Sequence, residues 1–295
     1  MKRLVLFLFL IGAVFAGSFI AGRWFDKVTE TRPESPLPTE NRPTNFTLKN
    51  LPFTIVIVGV NNGAAVEKTL TSVFSQNYEN YHVVYIDDAS DDGSYDVARD
   101  LIYDSGHLGQ VTLARNEERL GILANLFRAV QLLDEREIIL VLQGEDWLAH
   151  EWVLQRLNAY YADPDVWLTY GQYRDYPTYQ LGTCRELKEV ALRSGPFAPS
   201  HLNTFYAGLF KKVRESDFIA GGKFLSACSE MAYMVPMLEM AKNHAQFISE
   251  ILYINNRQAS YKEDRETQMR CEKFIRALDA YPPLLSLNEV EPCGA

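Results

Sequence analysis

The sequence has no excess of basic residues. It contains 29 lysine and arginine residues against 38 aspartate and glutamate residues, which gives a formal net charge of −9 at pH 7. A protein that binds nucleic acid usually carries a basic surface that contacts the phosphates. The composition therefore argues against a nucleic-acid partner.

Two sequence patterns that mark common metal and cofactor sites are also absent. The four cysteines are widely spaced, and no pair has the C-x-x-C spacing that is typical of zinc sites. The first apolar strand runs into the residues GVNNG, which lack the G-x-G-x-x-G spacing of a dinucleotide-binding turn. The sequence therefore disfavours both a zinc domain and a Rossmann-type oxidoreductase.

A long apolar run occurs at the amino terminus. Two basic residues, Lys2 and Arg3, precede an apolar segment from Leu4 to Ala21. Its length approaches that of a membrane-spanning helix, and the basic residues predict a cytoplasmic amino end. The rival interpretation is a cleavable signal peptide, because residues 14–16 (VFA) resemble a small-residue cleavage site. We expect residues 1–25 to form a single-pass membrane anchor or, on the alternative, a leader whose removal leaves a secreted or periplasmic protein.

The composition divides the rest of the chain. Residues 26–50 are rich in proline, threonine and glutamate and show no apolar periodicity, which predicts a flexible stalk. Residues 51–285 are predicted to form the folded domain, with a first half at 51–172 and a second half at 173–285. Residues 286–295 are predicted to be a tail.

After residue 52 the chain alternates apolar, β-branched segments with amphipathic segments. The predicted strands are 53–60, 82–86, 110–114, 138–142, 166–170 and 247–254. The predicted helices are 66–74, a segment after Asp88, 121–133, 150–161, 229–240 and 263–278. Pro236 is expected to kink or break the helix at 229–240. This order predicts an α/β fold with a mostly parallel central sheet flanked by helices.

Polar residues follow three of the predicted strands. Asn61 follows the first strand, Asp87 and Asp88 follow the second, and residues 143–146 (QGED) follow the strand at 138–142. Ligands of open parallel sheets bind beyond the carboxyl ends of the strands. These strand ends therefore predict a crevice that receives a cation or sugar hydroxyls.

Several linked segments resemble one enzyme family. In order, the chain contains TIVIVGVNNGAAVEKTLTSVFSQ, YIDDASDDGS, RLGILANLFRAV and LVLQGEDWL. These segments resemble the family 2-type glycosyltransferases of the GT-A fold, with Val58-Gly59-Val60 where that family usually has Pro-Thr-Tyr. The resemblance implies a nucleotide-diphospho-sugar transferase fold. It also implies an inverting transfer of a sugar from a nucleotide-sugar donor to a hydroxyl of a glycan, lipid or protein acceptor.

The resemblance assigns roles to individual residues. The residues that would contact the nucleotide-sugar are Val60, Asn61, Asp87, Asp88, Arg119, Gln143 and Gly144. The expected metal ligands are Glu145 and Asp146. Glu230 lies in FLSACSEMAYMVPMLEMA, which is similar to the family's acceptor-side helix, where an aspartate commonly serves as the base. The chemistry needs such a carboxylate, because the acceptor hydroxyl must lose a proton.

The metal motif departs from the family's pattern. The first aspartate of the family's D-x-D falls on Gln143, and the second falls on Glu145. A neutral amide oxygen binds a hard divalent cation more weakly than a carboxylate does. We therefore expect a weakened site for Mn²⁺ or Mg²⁺, and fixed cations would have to help stabilise the departing diphosphate. The fixed cations that the sequence offers are Arg119, Arg257 and Lys262.

The altered motif leaves two functions open. The first is an active, membrane-anchored glycosyltransferase of the hexosyltransferase type, with a single-carboxylate metal site. The second is a catalytically impaired GT-A domain that serves as a nucleotide-, glycan- or partner-binding module. Hydrolysis of nucleotide-sugars, measured with and without manganese, distinguishes the two.

Overall fold

The computed structural model describes residues 49–187, 192–199, 201–258 and 264–287. Within these ranges, no helix is long and apolar enough to cross a membrane. The predicted anchor at residues 1–25 and nearly all of the predicted stalk at 26–50 lie outside the described residues, so both stay predictions.

An eight-stranded sheet forms the centre of the fold, in the order β3-β2-β1-β4-β7-β6-β10-β5. Its strands are β1 (Phe53–Gly59), β2 (Tyr81–Asp87), β3 (Val111–Arg115), β4 (Ile138–Gln143), β5 (Trp147–Leu148), β6 (Leu168–Tyr176), β7 (Asn203–Tyr206) and β10 (Ala245–Asn256). A separate hairpin pairs β8 (Ile219–Ala220) with β9 (Lys223–Phe224).

The central sheet is mixed, which corrects the expectation of a mostly parallel sheet. Four of its seven pairings are parallel and three are antiparallel. Two of the antiparallel pairings come from β7, a strand of only four residues that inserts between β4 and β6 and runs antiparallel to both. The third joins β5 to β10. The parallel arrangement predicted for β1 to β4 is correct for all three pairs among them: β1 with β2, β1 with β4, and β2 with β3.

Helices cover both faces of the sheet. They are α1 (Gly63–Phe74), α2 (Ser94–Asp104), α3 (Ile122–Gln131), α4 (Val153–Tyr161), α5 (Ala207–Lys211), α6 (Ser229–Ala241) and α7 (Arg265–Ala277). The side chains of β1 alternate between two cores, as the two-residue period of a strand requires. Ile55 and Ile57 pack with α1, α2 and α4, whereas Val56 and Val58 pack with α3, α5, α6 and α7.

Helix α6 is continuous through Pro236, so the predicted break is absent. A proline inside a helix costs about 3 kcal/mol. Burial of Met234, Met237 and Leu238 offsets that cost, because each buried side chain of this size contributes about 1.5–3 kcal/mol. Every side chain from Met231 to Ala241 is buried, so α6 is enclosed on all sides instead of presenting one apolar face.

The register of the strands brings the predicted strand ends to one edge of the sheet. Gly59 at the end of β1 lies beside Asp87 of β2, and Val58 lies beside Gln143 of β4. The residues that follow these three strands therefore meet at the same carboxyl edge, as the sequence predicts.

Candidate active site

Two of the cavities at the carboxyl edge of the sheet flank the turn after β4. The larger has a volume of 640 Å³ and is bordered by the turn after β4, the start of α6 and residues of α3 and α7. The smaller has a volume of 310 Å³ and is bordered by the β1–α1 loop, α1, Trp147 and Tyr176. Glu145 lines both cavities, so the turn after β4 separates them.

The turn after β4 is held close to β1 by Gly144. Its N–H donates to the Val58 carbonyl at 3.0 Å, and its carbonyl accepts from Asn62 Nδ2 at 2.6 Å. A side-chain carbon at position 144 would lie 2.6 Å from Gly59 Cα, closer than such atoms can approach. Only glycine therefore permits this turn, and Gly144 shapes the site through its backbone.

Asp146 joins the same turn to β10. Its side chain is 1% exposed; Oδ2 accepts from Tyr253 Oη at 2.6 Å, and Oδ1 accepts from the Asn256 N–H at 2.7 Å. Both carboxylate oxygens are engaged by the protein, so binding a cation would cost Asp146 its bonds to β10. The metal-ligand role of Asp146 stays a prediction that this geometry opposes.

Glu145 is the carboxylate of the turn that faces the cavities. Burial, together with the neighbouring charge of Asp146, raises the pKa of the Glu145 carboxyl to about 7. The other potential ligand is the Gln143 amide, which lines the larger cavity. No cluster of three or more metal-binding side chains occurs in the described part of the chain. One amide and one carboxylate suit a cation that brings further oxygen ligands with it, such as those of a diphosphate.

Asp88 holds the segment that leads into α3. Asp88 is 3% exposed, and its carboxylate accepts hydrogen bonds from four donors. The donors are Asn116 Nδ2 at 2.7 Å, Leu120 N–H at 2.9 Å, Asn125 Nδ2 at 2.9 Å and Gly121 N–H at 2.9 Å. Burial alone would raise the pKa of Asp88, but these donors outweigh it and lower the pKa below its ordinary value. Both carboxylate oxygens of Asp88 thus already accept hydrogen bonds from the protein.

Asp87 differs from its neighbour because one of its oxygens is unused. Oδ2 accepts from the Ser90 N–H at 3.1 Å and lies 3.5 Å from Arg115 Nε. Oδ1 is buried and has no hydrogen-bond partner in the protein. A buried acceptor without a partner is uncommon and calls for a physical explanation.

The other residues predicted to contact the nucleotide-sugar or its diphosphate do not lie together in one cavity. Val60 and Asn61 line the smaller cavity, and Asn61 Oδ1 accepts from the Asp91 N–H at 3.0 Å. Arg119 is exposed and borders neither of the two cavities. Arg257 lines the larger cavity and pairs with Asp175 at 3.0 Å. Lys262 lies outside the described residues.

Glu230 lies in the first turn of α6 and faces the larger cavity together with Gln143 and Glu145. Its Oε1 is 2.7 Å from His201 Nδ1. His201 lies two residues before β7, and its ring stacks on Tyr253 with centroids 4.5 Å apart and an interplanar angle of 8°. Sequence analysis did not identify His201, because 29 residues separate it from Glu230 and no spacing links them.

His201 carries positive charge more readily than an ordinary histidine. Burial is the largest single effect and lowers the pKa of its imidazole, but the Glu230 and Asp146 carboxylates together outweigh it, so the pKa lies above its ordinary value of 6.5. Asp146 acts in the same direction as Glu230, and Arg257 opposes them. The larger cavity therefore contains a partly buried pair, His201 and Glu230, in addition to the carboxylate of Glu145.

Comparison with known proteins assigns the chain to a family. The sequence model of Glycosyl transferase family 2 matches residues 54–216, which is 163 of the 295 residues. An uncharacterized protein of Mycobacterium tuberculosis (strain CDC 1551 / Oshkosh) is 28% identical over 122 residues, and the match covers 41% of this chain and 36% of that relative. The chain thus spans little more than a third of the relative's length.

Solved structures share the fold at low sequence identity. S. aureus TarS 1–349 in complex with UDP is 14% identical with a TM-score of 0.55, over 70% of this chain and 60% of that one. GalNAc-T7 with UDP, GalNAc and Mn²⁺ is 14% identical with a TM-score of 0.51, over 76% of this chain and 47% of that one. The chain spans less than two thirds of either structure, and the likeness concerns the fold alone.

Proposed function

The chain belongs to glycosyl transferase family 2, and on that premise we propose that it transfers a hexosyl unit from a nucleotide-sugar donor to an acceptor hydroxyl, with inversion at the anomeric carbon. One observation carries the proposal: Glu230 lines the same 640 Å³ cavity as Gln143 and Glu145. A base for the acceptor and a site for the diphosphate must lie in one crevice, because both act on a single carbon atom.

Glu230 is proposed as the general base. His201 engages its Oε1, so Oε2 is the oxygen that accepts the proton of the acceptor hydroxyl. The acceptor oxygen then attacks the anomeric carbon from the face opposite the diphosphate. The bond from that carbon to the diphosphate oxygen breaks, and the diphosphate leaves with the electron pair. A single displacement of this kind inverts the anomeric configuration.

The diphosphate is proposed to lie beside Gln143 and Glu145. These two residues would hold a divalent cation, Mn²⁺ or Mg²⁺, that arrives with the donor, because the described residues supply too few ligands for a resident ion. When bound, the cation offsets the negative charge that develops on the leaving group. Arg257 borders the same cavity and is a fixed cation that adds to this stabilisation.

The nucleoside is proposed to bind at the ends of β1 and β2. The unpartnered Oδ1 of Asp87 is an acceptor for a base N–H or a ribose hydroxyl. Val60 and Asn61 border the same edge of the sheet. Asp88 is left out of this set because the α3 segment already occupies its oxygens.

Donor turnover tests the proposal. Full-length protein is incubated with UDP-N-acetylglucosamine or GDP-mannose, with and without manganese, and release of the nucleoside diphosphate is measured. We expect release from at least one donor, and NMR of the released sugar, recorded before its anomers interconvert, should find the inverted anomer. Binding of donors without any release would instead support a binding module.

The anchor predicted at residues 1–25 would hold the domain at a membrane. Amino-terminal sequencing of the mature protein tests this proposal separately.

Substituting Gln143 with aspartate is expected to tighten manganese binding. Cation affinity rises with the number of charged oxygen ligands, and Gln143→Asp adds a second carboxylate beside Glu145. We expect the variant to bind Mn²⁺ more tightly in the presence of UDP and to release more nucleotide at low metal concentration. Calorimetric manganese titrations measure the first effect. Glu145→Ala is the paired variant and should lose the metal-dependent part of turnover. Tight binding by the wild type that Gln143→Asp leaves unchanged would place the cation on other ligands.

A further inference from the structure

In the larger cavity, His201 lies between Glu230 and the turn after β4 that carries Gln143 and Glu145. Its Nδ1 lies 2.7 Å from Glu230 Oε1, and its side chain is only 13% exposed. One face of the ring stacks on Tyr253 at 4.5 Å, and Tyr173 packs edge-on at 5.4 Å with an interplanar angle of 75°. The imidazole is therefore fixed by packing as well as by its bond to Glu230.

The ring under His201 belongs to the residue that holds the turn after β4. Tyr253 Oη donates to Asp146 Oδ2 at 2.6 Å, and Asp146 Oδ1 accepts from β10 through the Asn256 N–H. One packed unit thus sets the position of Glu230 relative to the turn that presents Gln143 and Glu145. A base and a leaving-group site that must act on the same carbon require such a fixed separation.

The Glu230 carboxylate is held through one oxygen only. Oε1 faces His201, and no partner for Oε2 occurs among the described residues. Without a donor at Oε1, the side chain of a glutamate with three rotatable bonds would have several orientations at the cavity wall. A single donor at one oxygen selects the orientation in which the other oxygen is free.

We propose that His201 is the positioning residue for Glu230: it fixes Oε1 of the carboxylate and leaves Oε2 to accept the proton of the acceptor hydroxyl. The proposal rests on the proposed glycosyl transfer, in which Glu230 is the base. His201 itself does not touch the substrates in this role. Its contribution is the orientation of the carboxylate and a positive charge that compensates it.

The charge of His201 depends on groups from several elements around it. The charged and titratable groups that face it are Glu230 of α6, Glu145 and Asp146 of the turn after β4, Tyr173 of β6, Tyr253 of β10 and Arg257 after β10. The folded pKa of His201 is raised, so the ion pair is present below that pKa and is lost as pH rises through it. Turnover by the wild type should therefore decline on the alkaline side.

Two variants separate the functions of the histidine. His201→Gln keeps a hydrogen-bond donor for Glu230 but cannot be charged, and His201→Phe keeps the aromatic packing on Tyr253 but has no donor. With UDP-N-acetylglucosamine or GDP-mannose as the probe, we expect His201→Phe to lower kcat by roughly 10–100-fold with little change in KM, as loss of an orienting partner does. His201→Gln should recover part of kcat and lose the alkaline decline. A kcat for His201→Phe equal to that of the wild type would overturn the proposal.

A titration by NMR tests the pair in proteins that keep the His201 ring, with one His201 variant used only to assign its signal. The chain has five histidines, and the His201 signal is the one that disappears in His201→Gln. In Glu230→Gln, we expect His201 to titrate at lower pH than in the wild type, because the carboxylate that raises its pKa is gone. An unchanged titration would overturn the pairing. If the wild type releases no nucleotide from either donor, the proposed function fails on that result, while the titration decides separately whether His201 and Glu230 interact.

Discussion

Glu230→Gln is expected to reduce nucleotide release by about 10²–10⁴-fold, the usual contribution of a general base. Glutamine has nearly the same size and can still accept from His201 Nδ1, so the geometry of the cavity is kept while the proton acceptor is lost. Because the diphosphate site is not altered, KM for the donor should change little. Steady-state release of UDP or GDP, measured with the donor that the wild type turns over, provides the comparison.

A matched control removes a carboxylate elsewhere on the domain. Glu67 is exposed on α1, and Glu67→Gln makes the same chemical change away from the larger cavity. We expect its turnover to equal that of the wild type. If Glu230→Gln were as active as the control, the proton of the acceptor would have to leave by another route, and the assignment of Glu230 as the base would be wrong.

Asp88→Ala is expected to lower the free energy of unfolding by about 3 kcal/mol or more. A buried hydrogen-bond donor that loses its acceptor costs about 1–3 kcal/mol, and this substitution leaves several such donors without one. They belong to Asn116, Leu120, Gly121 and Asn125. Urea denaturation monitored by circular dichroism measures the change. Asp91→Ala alters an exposed side chain in the same loop and should stay within about 0.5 kcal/mol of the wild type.

The Asp88 carboxylate should also make the free energy of unfolding depend on pH in the acidic range. The folded pKa of Asp88 is lowered from its ordinary value of 3.8, so its contribution is present above that value and is lost as pH falls through the folded pKa. The stability difference between the wild type and Asp88→Ala should therefore shrink below about pH 4. A difference that stays constant to lower pH would mean that the Asp88 charge contributes nothing to folding.

The sequence predicts the parts of the fold that local patterns specify. The strands β1, β2 and β4 are buried, apolar runs that stop at polar residues, so both the strands and the edge where they end could be found. The four-residue strand β7 could not, because NTFY has no clear alternation and its place depends on pairing with β4 and β6. Its pairings with β4 and β6 are two of the three antiparallel pairings that make the sheet mixed.

In the candidate site too, sequence patterns identify individual residues, whereas their contacts depend on segments that are distant in the sequence. Asp87 and Asp88 look equivalent in the sequence, and the difference between them arises only when the segment around Leu120 and Gly121 folds over Asp88. Glu230 could be selected by resemblance, whereas its partner His201 comes from another part of the chain. Gln143 was recognised as a weak ligand, but the engagement of Asp146 by Tyr253 depends on β10, more than 100 residues later.

Calorimetric titration of the full-length protein with UDP, and separately with GDP, in the presence of Mn²⁺ tests the central claim most directly. The claim is that the carboxyl edge of this sheet receives a nucleotide-sugar donor. We expect saturable binding of one nucleotide by the wild type, weakened by about 1–3 kcal/mol in Asp87→Ala, where the unpartnered acceptor is removed. The fold of the variant is checked by circular dichroism. If neither nucleotide binds to the wild type, the donor site and the glycosyl transfer proposed from it are contradicted together.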